Sequence, residues 1–558
     1  MTNLTQSYFC GAAQTPLLYE TIGNCLDRTA AKHPDNEALV VRHQNIRWSY
    51  RRYQQEIDKL ATGLLKLGIG PGDRVGIWAP NCFEWCLTQF ATAKIGAVMV
   101  CINPAYRTYE LEYALNKVEC KAIIAAESFK SSHYLSMLQE LAPELSSCKP
   151  AALKSAKLPQ LEIVIRMGDQ STPGMLNFAA VCEMGGDTET TQLSRLKQLL
   201  QPDDAINIQF TSGTTGHPKG ATLTHCNILN NGFQVGQGMG LNDQDRLCVP
   251  VPLYHCFGMV MGNLACISHG ATVVLPSDSF DPLTTLQTVM EEKCTALHGV
   301  PTMFIAELEH PQFDSFDLST LRTGVMAGAP CPAEIMKRVI NDMHISDIII
   351  MYGQTETSPA NHMTSVDDPI EKRVGSVGRC APHQEIKLID ENGRVVPIGE
   401  KGELCCRGYA VMLGYWQDEE RTAETIDSAG WLHSGDLATM DTEGYVEIVG
   451  RLKDMIIRGG ENVYPREVEE FLYTHPSIQD VQVFGIPDAK YGEEICAWIQ
   501  IKEGESLDAD QVTSYCKEKI THFKIPRHIR IVDEYPMTVT GKIQKFKMRD
   551  VMTAELDR

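Results

Sequence analysis

No apolar run in this 558-residue chain approaches the roughly 18 residues that a membrane-spanning helix needs, so a helical span is excluded. Basic residues are scarce: 50 Lys and Arg against 71 Asp and Glu leave a net charge of -21. Such a surface repels nucleic acid and anionic membranes, and neither is an expected partner. The 19 cysteines include no C-x-x-C pair, which removes zinc ribbons and dithiol redox motifs. They read as small buried hydrophobes in a reducing compartment. The first basic residue is Arg28, so residues 1–27 lack the charge of a signal or arginine-rich transit peptide, and a cytoplasmic location is expected. No Ser-His-Asp grouping and no cluster of metal-ligand histidines is visible in the order of residues.

What is there is ordinary soluble composition, 43% hydrophobic and 22% charged, in a chain too long for one core. Helical spacing over residues 21–32, 53–67, 83–95 and 108–117 alternates with strand-like words at 74–78, 97–102 and 121–126. That alternation predicts a parallel sheet covered on both faces. Residues 127–200 read as a loop-rich insertion without a role. The pattern resumes with helices over 224–231, 282–292, 303–309 and 333–343, and strands over 206–210, 247–251, 296–300, 322–327 and 347–351. From 384 to 450 the helical words stop, and strands over 384–389, 402–406 and 445–448 predict a small antiparallel barrel. The expected fold is a large α/β N-terminal domain, doubly wound sheets plus a small β-barrel, with a smaller α+β C-terminal domain. Its boundaries are 1–450, a junction at 451–454, and 455–558.

The stretch that carries chemistry is INIQFTSGTTGHPKG, residues 206–220. A short apolar strand runs into Thr211, Ser212, Gly213, Thr214, Thr215 and Gly216, then His217, Pro218 and Lys219. Small residues let backbone N–H groups converge on an anion, hydroxyls add donors, and the lysine adds a counter-charge. The plain alternative is a flexible surface loop, but strand, glycines and lysine stand in functional order. It is not the Walker pattern: counting from Gly213, the second glycine falls on Pro218, and Lys219 precedes Gly220 rather than Ser or Thr. Pro218 also bars a regular helix there.

Two further strand ends matter, because ligands of open parallel sheets sit beyond the carboxyl ends of strands. One continues into Gly328, Ala329 and Pro330, a flat edge suited to a purine. The other continues into Tyr352, Gly353, Gln354, Thr355 and Glu356. A carboxylate near phosphates is tolerable when it holds a cation, so Glu356 reads as a Mg²⁺ ligand. A plain turn between strand and helix is the alternative at both.

The words AINIQFTSGTTG, PLYHCFG and ELEYALNKVECKA carry a resemblance over nearly the whole chain. It resembles the adenylate-forming superfamily of acyl-CoA synthetases, luciferase-like enzymes and peptide-synthetase adenylation domains. Within that superfamily the words are similar to the acyl-CoA synthetase family member 2 type, medium-chain fatty acid ligases. The resemblance implies ATP, Mg²⁺ and coenzyme A as cofactors and a small carboxylic acid as substrate. It implies nucleotide contacts along residues 211–219, 328–330 and 352–355, a ribose clamp of Asp436 and Arg451, and a catalytic role for Lys542 beside Lys219 and Glu356. It also implies a hinge at Lys453 that swings Gly459, Gly460 and Glu461 to a CoA tunnel. An apolar acyl pocket is expected from Val300, Thr302, Met303 and Met326, with His255 at its entrance. Animal members of the type are mitochondrial; the N-terminal residues here fit a bacterial-type cytoplasmic enzyme better. A homodimer is a further expectation. Two alternatives stay open: an adenylation enzyme that loads a carrier protein, and a nucleotide-binding regulator that has lost catalysis.

Overall fold

The computed structural model describes residues 4–211, 218–329, 331–458, 461–488, 490–517, 519–538 and 543–556, with Lys453 described by its backbone alone. Two large sheets dominate. The first has eight strands, with Arg74–Trp78 flanked by Val98–Cys101 and Ala122–Ala125; Ala205–Thr211 and Lys219–Thr224 follow on one side. The second has nine, with Arg246–Cys248, Ala296–Gly299, Thr323–Ala327 and Asp347–Gly353 parallel at its centre.

Strand alternation explains why both sheets are covered twice. Met99 and Cys101 face the layer between the sheets, while Val98 and Val100 face an outer layer with Leu111, Leu115 and Leu138. A strand buried on both sides reads as a continuous apolar run, as VMVC does. The middle layer holds the helices Ile22–Lys32, Tyr50–Lys66, Phe83–Ile95 and His225–Gly238. Thr21, Ser49 and Thr224 cap three of these by accepting a hydrogen bond from the third helical N–H, at 3.2, 3.3 and 3.0 Å. Each such cap contributes about 1 kcal/mol.

Residues 127–200 are not a bare insertion. They add the strands Ile163–Arg166 and Leu176–Asn177 to the edge of the first sheet, and the helices Tyr134–Leu141 and Asp187–Leu199. These strands are four and two residues long, too short for a period to register in the sequence.

The expected barrel is present as a five-stranded antiparallel half-barrel, ordered Tyr8–Cys10, Gln384–Ile389, Gly402–Gly408, Leu432–Met440, Val446–Arg451. The C-terminal α+β domain pairs Ile478–Asp488 with Gly492–Ile501 along their length and packs the helices Pro465–Leu472 and Ala509–Cys516 on that sheet. Its apolar core is its own: Val468, Leu472, Val483, Ile495 and Val512 are all sealed from solvent.

Candidate active site

The strands on either side of the candidate phosphate loop form a hairpin. Ala205–Thr211 and Lys219–Thr224 pair antiparallel, so that Thr211 and Lys219 stand opposite each other where the strands part. Residues Ser212, Gly213, Thr214, Thr215, Gly216 and His217 lie outside the described residues. Pro218 is held at its carbonyl by the hydroxyl of Tyr113, 3.2 Å away. A strand rather than a helix follows the loop, which is what Pro218 requires.

At the base of the hairpin four side chains meet. Lys219 Nζ donates to the Tyr415 hydroxyl at 2.8 Å, and Tyr415 donates to Glu356 Oε1 at 2.8 Å. Thr211 Oγ1 donates to the same oxygen at 3.3 Å. Burial, then the Glu356 carboxylate, pushes the Tyr415 phenol well up, so it stays protonated and keeps donating. Tyr415 arrives through Gly414–Tyr415, a two-residue strand that pairs with Lys219–Thr224. Sequence reasoning missed it. Its only signal is a Gly-Tyr-Trp word in a turn-rich stretch, and its partner Glu356 is 59 residues away.

Glu356 is 7% exposed and sits in the single turn Thr355–Thr357. The turn is fixed at both ends: Gln354 N–H donates to Thr357 Oγ1 at 3.0 Å, and Met412 N–H donates to the Glu356 carbonyl at 2.9 Å. The preceding Gly353 cannot be replaced, because a Cβ there would lie 2.0 Å from the Pro359 carbonyl oxygen.

Thr323–Ala327 and Asp347–Gly353 are parallel neighbours with Ala327 opposite Met351. Gly328–Ala329 and Tyr352–Thr355 therefore leave the sheet side by side, the arrangement that opens a ligand crevice. Gly328 and Ala329 are exposed, and Pro330 lies outside the described residues. Tyr352 does more than offer a ring: its hydroxyl donates to Asp436 Oδ2 at 2.6 Å. Asp436 and Arg451 stand opposite each other on paired strands of the half-barrel, with Arg451 Nε 3.1 Å from Asp436 Oδ1. The end of Asp347–Gly353 and the half-barrel thus share one hydrogen-bonded chain. Asp436 is buried while the Arg451 side chain is 54% exposed, so this pair holds geometry more than it stabilises the fold.

The expected acyl-pocket residues divide. Val300 lies 3.2 Å from where a Cβ on Gly328 would be, which puts it against the Gly328–Ala329 segment. Val300 and Met303 belong to the middle layer, and Thr302 is half-buried. His255 accepts from the Phe257 N–H at 3.2 Å, just before a π-helix over Phe257–Leu264. Met326 is not with them. It alternates away from Val325 and Ala327 and packs on the opposite face of its strand, among Phe304, Leu308 and Ile348. The period of two in a strand sets it on the face away from Val300 and Met303.

In the C-terminal domain, Lys453 lies in the turn Leu452–Asp454, between the last half-barrel strand and Ile456–Arg458. Glu461 is exposed, opposite Arg458 in a short hairpin. Gly459, Gly460 and Lys542 lie outside the described residues.

Comparison with known proteins bears on this geometry. The family model "AMP-binding enzyme" matches residues 26–416, and "AMP-binding enzyme C-terminal domain" matches 467–542. The YngI protein of Bacillus subtilis (strain 168) is 50% identical over 535 residues, covering 96% of this chain and 97% of its own. The bovine (Bos taurus) mitochondrial medium-chain acyl-CoA ligase ACSF2 is 47% identical over 557 residues, covering 99% and 90%. The crystal structure of the anthranilate CoA ligase AuaEII with anthranoyl-AMP superposes with a TM-score of 0.86 at 29% identity, over 98% of this chain and 99% of that one. The chain belongs to the AMP-binding enzyme family, among its acyl-CoA synthetases. No helix among the described residues is long and apolar enough to cross a membrane.

Proposed function

We propose that this acyl-CoA synthetase activates medium-chain fatty acids in two half-reactions, using a fixed nucleotide seat and a C-terminal domain that changes position between them. In the first, a fatty carboxylate attacks the α-phosphate of ATP, giving acyl-adenylate and pyrophosphate. In the second, the CoA thiol attacks the acyl carbonyl and AMP leaves. The observation that carries the reading is the convergence of Lys219, Tyr415, Thr211 and Glu356 beside the Tyr352–Asp436–Arg451 chain. Cationic and hydroxyl donors stand where phosphate charge develops, and they are oriented before substrate arrives.

Asp436 and Arg451 orient the ribose, and the edge at Gly328–Ala329 receives the base. Glu356 fits a Mg²⁺ ion, since its described partners are hydroxyl oxygens and a hard cation prefers an all-oxygen setting. Bound there, the ion would neutralise phosphate charge; Thr211 and Tyr415 hold the carboxylate in place. Lys542 supplies the mobile charge of the first step, and Lys453 is the hinge that withdraws it and brings Glu461 with Gly459 and Gly460 to the pantetheine path. The medium chain length rests on the likeness to the bovine ligase.

All 19 cysteines are free thiols, which supports a reducing, cytoplasmic setting. A homodimer is the largest assembly we propose, and light scattering reads it directly. The test of the reaction is acid-dependent ATP–pyrophosphate exchange across saturated acids from two to eighteen carbons, with the thioester product weighed when CoA is added. Exchange that peaks at medium chains, with acyl-CoA formed, is expected. Exchange without acyl-CoA would favour a carrier protein as acceptor, and no exchange would favour a regulator.

A further inference from the structure

One cluster outside the nucleotide seat has the makings of a second metal centre. Glu403 and Cys405 lie two residues apart on Gly402–Gly408, so their side chains leave the same face of the half-barrel. His433 stands directly opposite Cys405 on the neighbouring strand Leu432–Met440. His433 Nδ1 is 3.0 Å from Glu403 Oε2 and 3.6 Å from Cys405 Sγ, and one atom from each of the three residues lies within 4.8 Å of the others. Tetrahedral zinc, with bonds of about 2.0–2.3 Å, sets nitrogen–oxygen edges near 3.4 Å and nitrogen–sulfur edges near 3.6 Å. The trio needs only small shifts to match.

Three further features point the same way. The other ring nitrogen, His433 Nε2, faces Asp427 Oδ2 at 4.0 Å. Asp427 is held for that task, its second oxygen accepting from the N–H groups of Ala429 and Trp431 at 2.9 Å each. A metal-bound imidazole with its far N–H aimed at a carboxylate is the usual outer arrangement of such sites. Burial is graded as well: Cys405 is sealed, whereas the His433 and Glu403 side chains are 31% and 20% exposed, leaving a side open to water as a fourth ligand. Finally, thiol, imidazole and carboxylate together select a borderline-soft ion rather than Mg²⁺.

The geometry points to a zinc-class divalent cation site at Glu403, Cys405 and His433, coupled to the nucleotide seat. The coupling runs through Gly435, whose N–H donates to Glu403 Oε1 at 3.1 Å. Gly435 has a left-handed backbone at φ +70° and immediately precedes Asp436. Drawing the Glu403 carboxylate onto a cation loosens that turn and displaces Asp436, so the cation weakens the grip on ATP. This second half of the inference rests on Asp436 as the ribose clamp; the first half does not.

The test uses the full chain stripped with a chelator and titrated with Co²⁺ alone, with Zn²⁺ added afterwards to compete. A thiolate-to-cobalt charge-transfer band saturating at one equivalent, absent in Cys405→Ser and abolished by Zn²⁺, is expected. His433→Gln and Asp427→Asn should weaken Co²⁺ binding by roughly 10-fold or more, the scale of lost metal ligands and their outer partners. Thermal melts in metal-free buffer establish that each variant is folded. No band in the wild-type chain, or an equal band in Cys405→Ser, overturns the site. In the exchange assay, Zn²⁺ should raise the KM for ATP several-fold in the wild-type chain and leave Cys405→Ser unmoved. A cobalt band with an unmoved KM overturns the coupling, and loss of exchange in every protein refutes the proposed reaction while the spectrum still decides the site.

Discussion

The proposed nucleotide seat and the C-terminal domain are built on opposite plans. In the seat, side chains from four separate stretches hold one another: Lys219 to Tyr415, Tyr415 and Thr211 to Glu356, Tyr352 to Asp436, Asp436 to Arg451. Glu356 and Asp436, on which these bonds converge, are both buried. The C-terminal domain is tied inward instead. Arg458 pairs with Glu494, Lys545 with Glu469 and Tyr473 with Asp480, all inside the domain. Among the described residues its contacts with the large domain include Arg466 to the Ile448 carbonyl at 2.8 Å, Gln479 to Glu309 at 2.8 Å, and Lys401 over the Tyr464 ring at 3.8 Å. Polar contacts of this kind exchange for water at little net cost, whereas the seat does not come apart without leaving buried groups unpaired. Under the proposed function this is a division of labour, with rigidity where charge is to be preorganised and a loosely tied domain where position is to change.

The largest expected effect separates the two plans. Lys542→Ala should slow acyl-adenylate formation by about 10²–10³-fold, the scale of one lost transition-state donor, while conversion of supplied acyl-adenylate to acyl-CoA continues. Pyrophosphate exchange and single-turnover thioester formation measure the two halves; equal loss in both would place Lys542 in the seat rather than on a moving arm. Next, Tyr415→Phe should lower kcat/KM for exchange by roughly 10- to 150-fold, from the ~1.5–3 kcal/mol of hydrogen bonding to a charged group. It should also raise the Mg²⁺ concentration for half-maximal rate; an unchanged Mg²⁺ requirement would show that Glu356 is held without the phenol. Asp436→Ala should raise the KM for ATP about 10-fold with a smaller change in kcat, as loss of a ground-state contact does. The smallest effect on activity concerns Met326. Met326→Ala should cost about 2–5 kcal/mol of stability by denaturant melts and leave the chain-length profile unchanged. Met303→Ala should shift that profile by about 1–3 kcal/mol between neighbouring chain lengths; a profile shift from Met326 instead would contradict the facing of its strand.

Local pattern carried much of this molecule into view. Arg74–Trp78, Phe83–Ile95 and Thr108–Lys117 fall where apolar spacing and turn residues put them. The strands Ala205–Thr211, Thr323–Ala327 and Asp347–Gly353 were legible as short apolar runs. What was not legible depends on pairing between distant strands. Tyr415 acquires its place only when Gly414–Tyr415 lies against Lys219–Thr224. Glu403, Cys405 and His433 meet only because the half-barrel sets Cys405 opposite a residue 28 positions later. Met326 packs on the other face of its strand from Val325 and Ala327, a facing the sequence reading did not separate. Residues 127–200 were opaque because their strands are too brief to show a period.

The division between a fixed seat and a moving domain is tested most directly at the junction. Lys453→Pro fixes one backbone angle in the Leu452–Asp454 turn. Both half-reactions should be timed on the same preparation, with octanoate for exchange and supplied octanoyl-adenylate for transfer to CoA. Exchange close to the wild-type rate with transfer slowed by about 10²-fold or more is the expected result, because only the second step needs the domain to turn. Transfer that keeps pace with the wild-type chain would mean that no rotation at this turn is required.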